Sequence, residues 1–245
     1  MTGELFRDDA TLLECPATVL WVDESGVVLD RTVFYPLGGG QAGDAGTLTT
    51  AAGVVLVVAD TRKHKQRPGD IAHLAPEPLS AQAQQAFAPG TPVVARVDAA
   101  RRHAHMRFHT ATHLLCALVP HPVDGCSITA GYARLDFHMS EPLDKEALTA
   151  GIARFVAAAH PVLQRWISED ELDANPGLVR SMSVQPPRGL GRIRVIEVRG
   201  VDLQPCGGTH VANTADIGAV VVTKIEKKSA MTRRVVLGFA ESAAG

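Results

Sequence analysis

Four residues in two short patterns carry the most chemistry in this chain. His109 and His113 stand four apart, as do Cys206 and His210 in the run Cys-Gly-Gly-Thr-His. On a helix, two imidazoles at that spacing lie one above the other and can share a cation. In the second pattern the paired glycines free the backbone for a tight turn, which can aim the Cys206 sulfur and a His210 nitrogen at the same ion. Three imidazole nitrogens and one thiolate suit zinc, a borderline-soft ion without redox demand. His105 and Cys116 share the helix side of His109 and His113, about 5–6 Å further along, as competing or supporting ligands. A zinc peptidase of the HExxH kind is disfavoured, because Thr110 and Ala111 stand between the histidines where that motif has its glutamate. Four protein ligands ordinarily close a zinc site, whereas catalytic zinc keeps a position open. The pattern therefore leaves two roles for the ion, acting on a substrate or organising a pocket.

These side chains need a long helix and a strand–turn pair to hold them. From Asp98 to Val119 the chain has no Gly or Pro, and Pro120 follows. Asp98 is a natural N-cap and Pro120 a stop. At about 100° per residue, Ala104, Phe108, Ala111, Leu115 and Leu118 gather on one side, while Arg102, His105, His109, His113 and Cys116 gather on the other. The expectation is one core face and one chemical face. Residues 1–95 read instead as short strands and turns: a hairpin pattern around Asp23–Gly26, a glycine-rich turn region over 31–50, strands over 53–61 and 91–98, and a proline-flanked connector between them. Many short strands without long helices predict a small β-barrel. Beyond the long helix come a strand pair, a helix over roughly 143–159, irregular polar sequence to about 180, and three further strands. The predicted architecture is α+β: an N-terminal barrel domain over 1–95, then a domain over 96–245 with a mostly antiparallel sheet and the long zinc-bearing helix.

Composition sets the outer bounds. The chain has 245 residues, 46% hydrophobic and 20% charged, as in ordinary globular domains. It contains no apolar run of the length a membrane span needs, and its first residues lack the pattern of a secretory signal, which favours the cytoplasm. Cys15, Cys116, Cys126 and Cys206 form no disulfide framework. Cys15 and Cys126 read as buried hydrophobes. The net charge of −2 conceals an asymmetry: −5 over residues 1–95 and +3 over 96–245. Basic residues cluster at Arg101, Arg102 and Arg107; at Arg188, Arg192 and Arg194; and at Lys224, Lys227, Lys228, Arg233 and Arg234. Such clusters suit a polyanion with phosphates.

Taken together, the runs RFHTATHLL (107–115) and QPCGGTHVANTADIG (204–218) resemble the zinc motifs of the alanyl-tRNA synthetase editing domain and of its free-standing relatives, the alanyl-tRNA editing proteins. FYPLGGGQAGDAG (34–46) resembles the glycine-rich motif that precedes that domain, and KIEKKSAMTRRVVL (224–237) its closing strand pair. Leu37 stands where an acidic residue is common. The N-terminal strands make the chain similar to the medium-length class, and no ATP-binding aminoacylation domain is expected in it. The resemblance implies a deacylase that removes serine, with glycine as second candidate, from mischarged alanine tRNA. It implies one zinc ion at His109, His113, Cys206 and His210. It marks Thr112 as a pocket-shaping and catalytic residue, although spacing alone reads it as a helix-surface threonine. It also makes Gly38, Gly39, Gly40 and Gln41 a substrate-binding loop. The implied partner is a mischarged tRNA; no membrane and no obligate protein partner is expected. Two other readings stay open: a zinc-stabilised RNA-binding module without turnover, and a deacylase for another mischarged tRNA.

Overall fold

Alternation between apolar and polar residues makes the early part of the chain a strand builder. In Glu14–Val22 the side chains of Cys15, Ala17 and Val19 point inward and their neighbours outward. A computed structural model describes residues 1–186, 188–189 and 191–240. The chain divides into two compact units, Met1–Gly38 with Ala42–His103, and Gly39–Gln41 with Ala104–Gly245.

The first unit holds β1 (Gly3–Glu4), β2 (Glu14–Val22), β3 (Gly26–Leu29), β4 (Arg31–Thr32), β5 (Gly46–Thr50), β6 (Val55–Val58), β7 (Asp60–Lys63), β8 (Ile71–Leu74), α1 (Ala81–Ala86) and β9 (Pro92–Val97). Seven strands pair antiparallel in the order β6-β5-β9-β2-β3-β8-β7. The predicted small barrel is corrected here, since among the described residues no ladder joins the edge strands β6 and β7. One long strand turns one corner instead: β2 pairs with β9 through Glu14–Thr18 and with β3 through Val19–Val22. At the other corner the chain passes from β6 through Ala59 into β7. Strands that switch sheets in this way bring two inner faces together without a closed hydrogen-bond ring. Val19, Leu29, Phe34, Leu48, Val58, Phe87 and Ala95 belong to the core so formed.

The proline-flanked connector contains a helix, α1, capped by the Ser80 hydroxyl, which accepts from the Ala83 N–H at 3.2 Å. Its AQAQQA sequence has strong helix formers directly after a good cap, and that outweighs the prolines outside it.

Helix α2 (Ala99–Leu118) starts as expected: the Arg101 N–H donates to the Asp98 carboxylate at 3.0 Å. The second unit then contains β10 (Val123–Ile128), β11 (Ala133–His138), α3 (Lys145–Ala157), β12 (Val162–Ser168), α4 (Glu169–Ala174), β13 (Arg192–Val198), β14 (Asp202–Pro205), β15 (Val220–Ser229) and β16 (Thr232–Phe239). They build two antiparallel sheets, β10-β11-β16-β15 and β12-β13-β14. The stretch read as irregular and polar thus carries β12 and α4. Phe108 of α2 stacks on Phe239 of β16, with ring centroids 4.1 Å apart, and seats the helix on the larger sheet. The expected split of α2 into a core side and a separate chemical side gives way to burial on both. Phe108, Ala111 and Leu115 are buried, and so are Arg102, His105, His109, His113 and Cys116. Among the described residues no helix is long and apolar enough to cross a membrane.

Candidate metal centre

The i, i+4 spacing on α2 brings the His109 and His113 rings to 5.8 Å between centroids. The other half of the site comes from β14 and the loop after it. Arg194 of β13 ties that loop down: its guanidinium donates to the carbonyls of Cys206 at 2.7 Å and Gly208 at 2.9 Å. Gly208 is needed for space, since a Cβ there would run into the His109 ring. The loop thereby delivers His210 to 4.3 Å from His109 and 4.8 Å from His113, ring to ring. The Cys206 sulfur lies 3.3 Å from Nε2 of His109 and 3.3 Å from Nε2 of His210. The ligand atoms of His109, His113, Cys206 and His210 all fall within 4.8 Å of one another, and the three histidines are buried.

Each imidazole is held from behind by a different group. Nδ1 of His109 donates to the Gln41 side-chain oxygen at 2.7 Å. Nδ1 of His113 donates to the Asp202 carboxylate at 2.8 Å. Nδ1 of His210 donates to the Thr110 hydroxyl oxygen at 3.2 Å; that hydroxyl spends its own proton on the Met106 carbonyl at 2.9 Å and can only accept. With Nδ1 engaged on each ring, Nε2 of His109 and of His210 is left to face the sulfur, and His113 joins the same cluster. Outer partners of this kind set tautomer and ring orientation in metal sites. The electrostatics agree. Burial pushes the Cys206 thiol up, yet His109 and His210 outweigh it and hold the thiol well below its usual range, as a thiolate. Burial lowers His113, and Asp202 with Cys206 more than reverses this, raising it to about 10. Burial, with His109 adding repulsion, keeps His210 far below an ordinary histidine. This cluster is able to hold a metal ion: its donors converge, its histidines are buried, and its thiolate bears a negative charge.

Comparison with known proteins puts this centre in context. Residues 193–236, which contain the Cys206–His210 loop, match the family described as Threonyl and Alanyl tRNA synthetase second additional domain. Residues 9–101 match tRNA synthetases class II (A). The chain is 33% identical over 243 residues to the alanyl-tRNA editing protein AlaX-M of Methanosarcina barkeri, covering 96% of this chain and 98% of that one. The chain belongs to the alanyl-tRNA editing protein family. It is also 32% identical to the AlaX-M protein of Methanosarcina acetivorans, over 96% of this chain and 98% of that one. Against the alanine–tRNA ligase of Methanothermobacter thermautotrophicus it is 33% identical over 92% of this chain, but over only 25% of the ligase. As in the free-standing members, the match runs nearly end to end.

The other sequence-predicted residues fall in varied places. His105 and Cys116 are buried on α2 and lie outside the four-residue cluster; burial pushes the Cys116 thiol up to about 12, so it stays protonated. Thr112 is buried, not on the surface, and its hydroxyl donates to the His109 carbonyl at 2.7 Å. In the glycine-rich segment, Gly38 accepts a hydrogen bond from the Tyr35 hydroxyl at 2.8 Å. Gly39 and Gly40 adopt φ of 57° and 85°, and Gly40 lies so close to Cys126 that a Cβ would sit 2.8 Å from its sulfur. Gln41 is 0% exposed. Its oxygen accepts from His109 and from the Thr209 N–H at 3.1 Å, and its amide donates to the Thr209 hydroxyl at 3.0 Å.

Sequence reasoning missed Asp202, Thr110 and Arg194 as supports. A signal for Asp202 existed: residues 202, 204 and 206 alternate, so a strand there puts Asp202 and Cys206 on one face. The basic clusters also need correction. Arg102 is buried against Asp44, Arg194 holds the metal loop, Arg233 is buried against backbone carbonyls, and Arg234 pairs with Asp136. Lys224, Lys227 and Lys228 are exposed, with Lys224 paired to Glu226.

Proposed function

We propose that this protein is a trans-editing hydrolase that cleaves the ester of alanine tRNA charged with serine or glycine. Its deacylase domain spans residues 96–245 and follows a strand-rich domain over 1–95. The observation that carries the reading is the convergence of three anchored imidazoles and a thiolate, in a chain that matches alanyl-tRNA editing proteins nearly end to end.

His109, His113, Cys206 and His210 would hold one zinc ion, a donor set that fits it in number and softness. When bound there, the ion supplies fixed positive charge that stabilises negative charge developing on a carbonyl oxygen. The remaining work falls to the protein. Gln41, Asp202 and Thr110 keep the imidazoles in the right tautomer, and Arg194 keeps the Cys206 loop in place. Thr112 serves amino-acid choice. Its proton is committed to the His109 carbonyl, so its oxygen can only accept, and serine offers a hydroxyl donor that alanine lacks. A site built around such a hydrogen bond rejects the analogue without it by far more than an apolar pocket could. Gly38, Gly39 and Gly40 form the substrate-side loop.

The test is release of amino acid from alanine tRNA charged separately with serine, glycine and alanine, with metal analysis of the same sample. The expected result is rapid release of serine, slower release of glycine, alanine retained, and about one zinc per chain. Protection of all three esters would identify a binding module and overturn the reading.

A further inference from the structure

Trp166 is 43% exposed on β12, an edge strand of the three-stranded sheet. On the other face of that sheet Ile167, Ile193 and Val195 meet Leu172, while on the face of Trp166 the residues further along β13, Ile196 and Val198, are buried. The face bearing Trp166 leads elsewhere. Trp166 stands directly opposite Arg194, and the Cys206 N–H donates to the Arg194 carbonyl at 3.2 Å. Trp166, Arg194 and Cys206 therefore form one row across the sheet, with side chains on a common face. Asp202, which anchors His113, alternates onto that same face. Two strand spacings put the Trp166 backbone about 10 Å from that of Cys206. The Arg192 guanidinium lies over the indole, 4.4 Å from the ring centroid, and steadies it.

We propose that Trp166, braced by Arg192, is a stacking subsite for the terminal nucleobase of the acylated RNA, the base whose ribose carries the ester. The proposal rests on the deacylase reading of the metal centre. An indole that stays 43% exposed and stands in one row with a residue of the metal centre is well made for a base, because every base has a π-face to stack on it. Arg192 adds cation–π contact and a charge for the neighbouring phosphate. The distance is also suitable: about 10 Å across two strands is a span that one nucleoside with its acyl group bridges. A base on Trp166 would leave its ribose hydroxyls towards Cys206.

The chain has two tryptophans, Trp21 and Trp166, so a Trp21→Phe variant makes Trp166 the sole reporter. Titrating the metal-loaded variant with 3′-deoxy-3′-serylamino-adenosine, an amide in place of the ester, should quench its emission saturably, while free serine should not. In turnover of seryl-tRNA, Trp166→Ala should raise KM about ten- to hundred-fold, the scale of one lost base stack, with kcat little changed. Metal content and melting temperature should stay as in the parent, and Trp166→Tyr should recover most of the affinity. If the parent releases serine while Trp166→Ala keeps its KM, or the analogue binds without altering Trp166 emission, the subsite is wrong and the deacylase reading stands. If the parent releases no serine, that reading falls, and the analogue titration decides the subsite by itself.

Discussion

His73 in the first unit and the three clustered histidines of the second are all buried, yet they differ in what their nitrogens do. Nδ1 of His73 donates to the Val27 carbonyl at 3.0 Å, and its Nε2 accepts from the Thr32 hydroxyl at 2.7 Å. Both nitrogens are used, and burial drives the ring down to about pKa 4, so it stays neutral. His109, His113 and His210 also have Nδ1 engaged, but Nε2 of His109 and of His210 faces one sulfur and His113 joins the same cluster. A buried histidine with two local partners is a core residue. Several whose outer nitrogens are held and whose donor atoms converge within one cluster form a site for a cation. The same contrast separates Arg102 with Asp44, a buried pair that neutralises itself, from the Cys206 thiolate, which faces the His109 and His210 rings and the Gly208 N–H.

The largest effect should come from removing a converging nitrogen. His113→Ala should strip the metal and lower seryl-tRNA deacylation by more than about 100-fold, beyond the ~10–100-fold typical of losing an outer partner. His73→Gln should leave metal content untouched. Metal analysis and serine release on both variants check this, and a metal-free His73→Gln would erase the contrast.

His73 should show itself through acid instead. Its folded pKa is about 4 and its unfolded value about 6.5. Between these values the unfolded chain binds a proton that the folded unit does not. Stability is therefore flat above about pH 6.5 and falls as pH drops towards 4. At about 1.4 kcal/mol per pH unit the loss approaches about 3 kcal/mol. Denaturant midpoints followed by Trp21 fluorescence in a Trp166→Phe background should show this acid arm, and His73→Gln should flatten it. Parallel pH curves for the two proteins would show that His73 is not the group responsible.

Next come the groups behind the imidazoles. Asp202→Asn and Gln41→Leu should each weaken metal affinity by about 10–100-fold in chelator competition. Asp202→Asn removes a charge but keeps an acceptor, whereas Gln41→Leu removes the acceptor altogether. Unchanged affinity in both would mean that the ring orientations need no support.

What could be read from the sequence follows from how local each signal is. Helix α2 was legible because Asp98, the uninterrupted run after it and Pro120 lie in one stretch. The four candidate ligands were legible as two five-residue patterns. Asp202 was not, because β14 is only four residues long and its meaning depends on pairing with β13. The glycine-rich segment stood out as a motif, but the Gln41 contact with His109 joins residues 68 apart. The strands of the first unit read as a barrel because alternation reports which face is buried, not how a corner is turned. The basic clusters misled for a related reason: formal charge counts Arg194 and Arg233 alike with Lys227, while burial commits the first two to backbone carbonyls.

The smallest expected effect brings the contrast down to two hydroxyls on one helix. Thr110 is fully committed: it donates to the Met106 carbonyl and accepts from His210 and from the Val211 N–H at 3.2 Å. Thr112 donates to the His109 carbonyl, which leaves its oxygen able to accept one more bond. Valine at either position keeps the shape and removes the oxygen. Thr110→Val deprives His210 of its anchor and should weaken metal binding. Thr112→Val should leave metal content as it was, because no ligand depends on that oxygen. It should lower serine release by about 10-fold, the scale of one hydrogen bond lost in the transition state. Release of alanine, which has no hydroxyl to offer, should hardly change, so the serine-to-alanine ratio should fall with it. The two ratios, measured with metal content on the same preparations, separate the roles. A Thr112→Val protein that kept its serine-to-alanine ratio would make Thr112 a packing residue like its neighbours, and the hydroxyl that reads the substrate would have to be sought elsewhere.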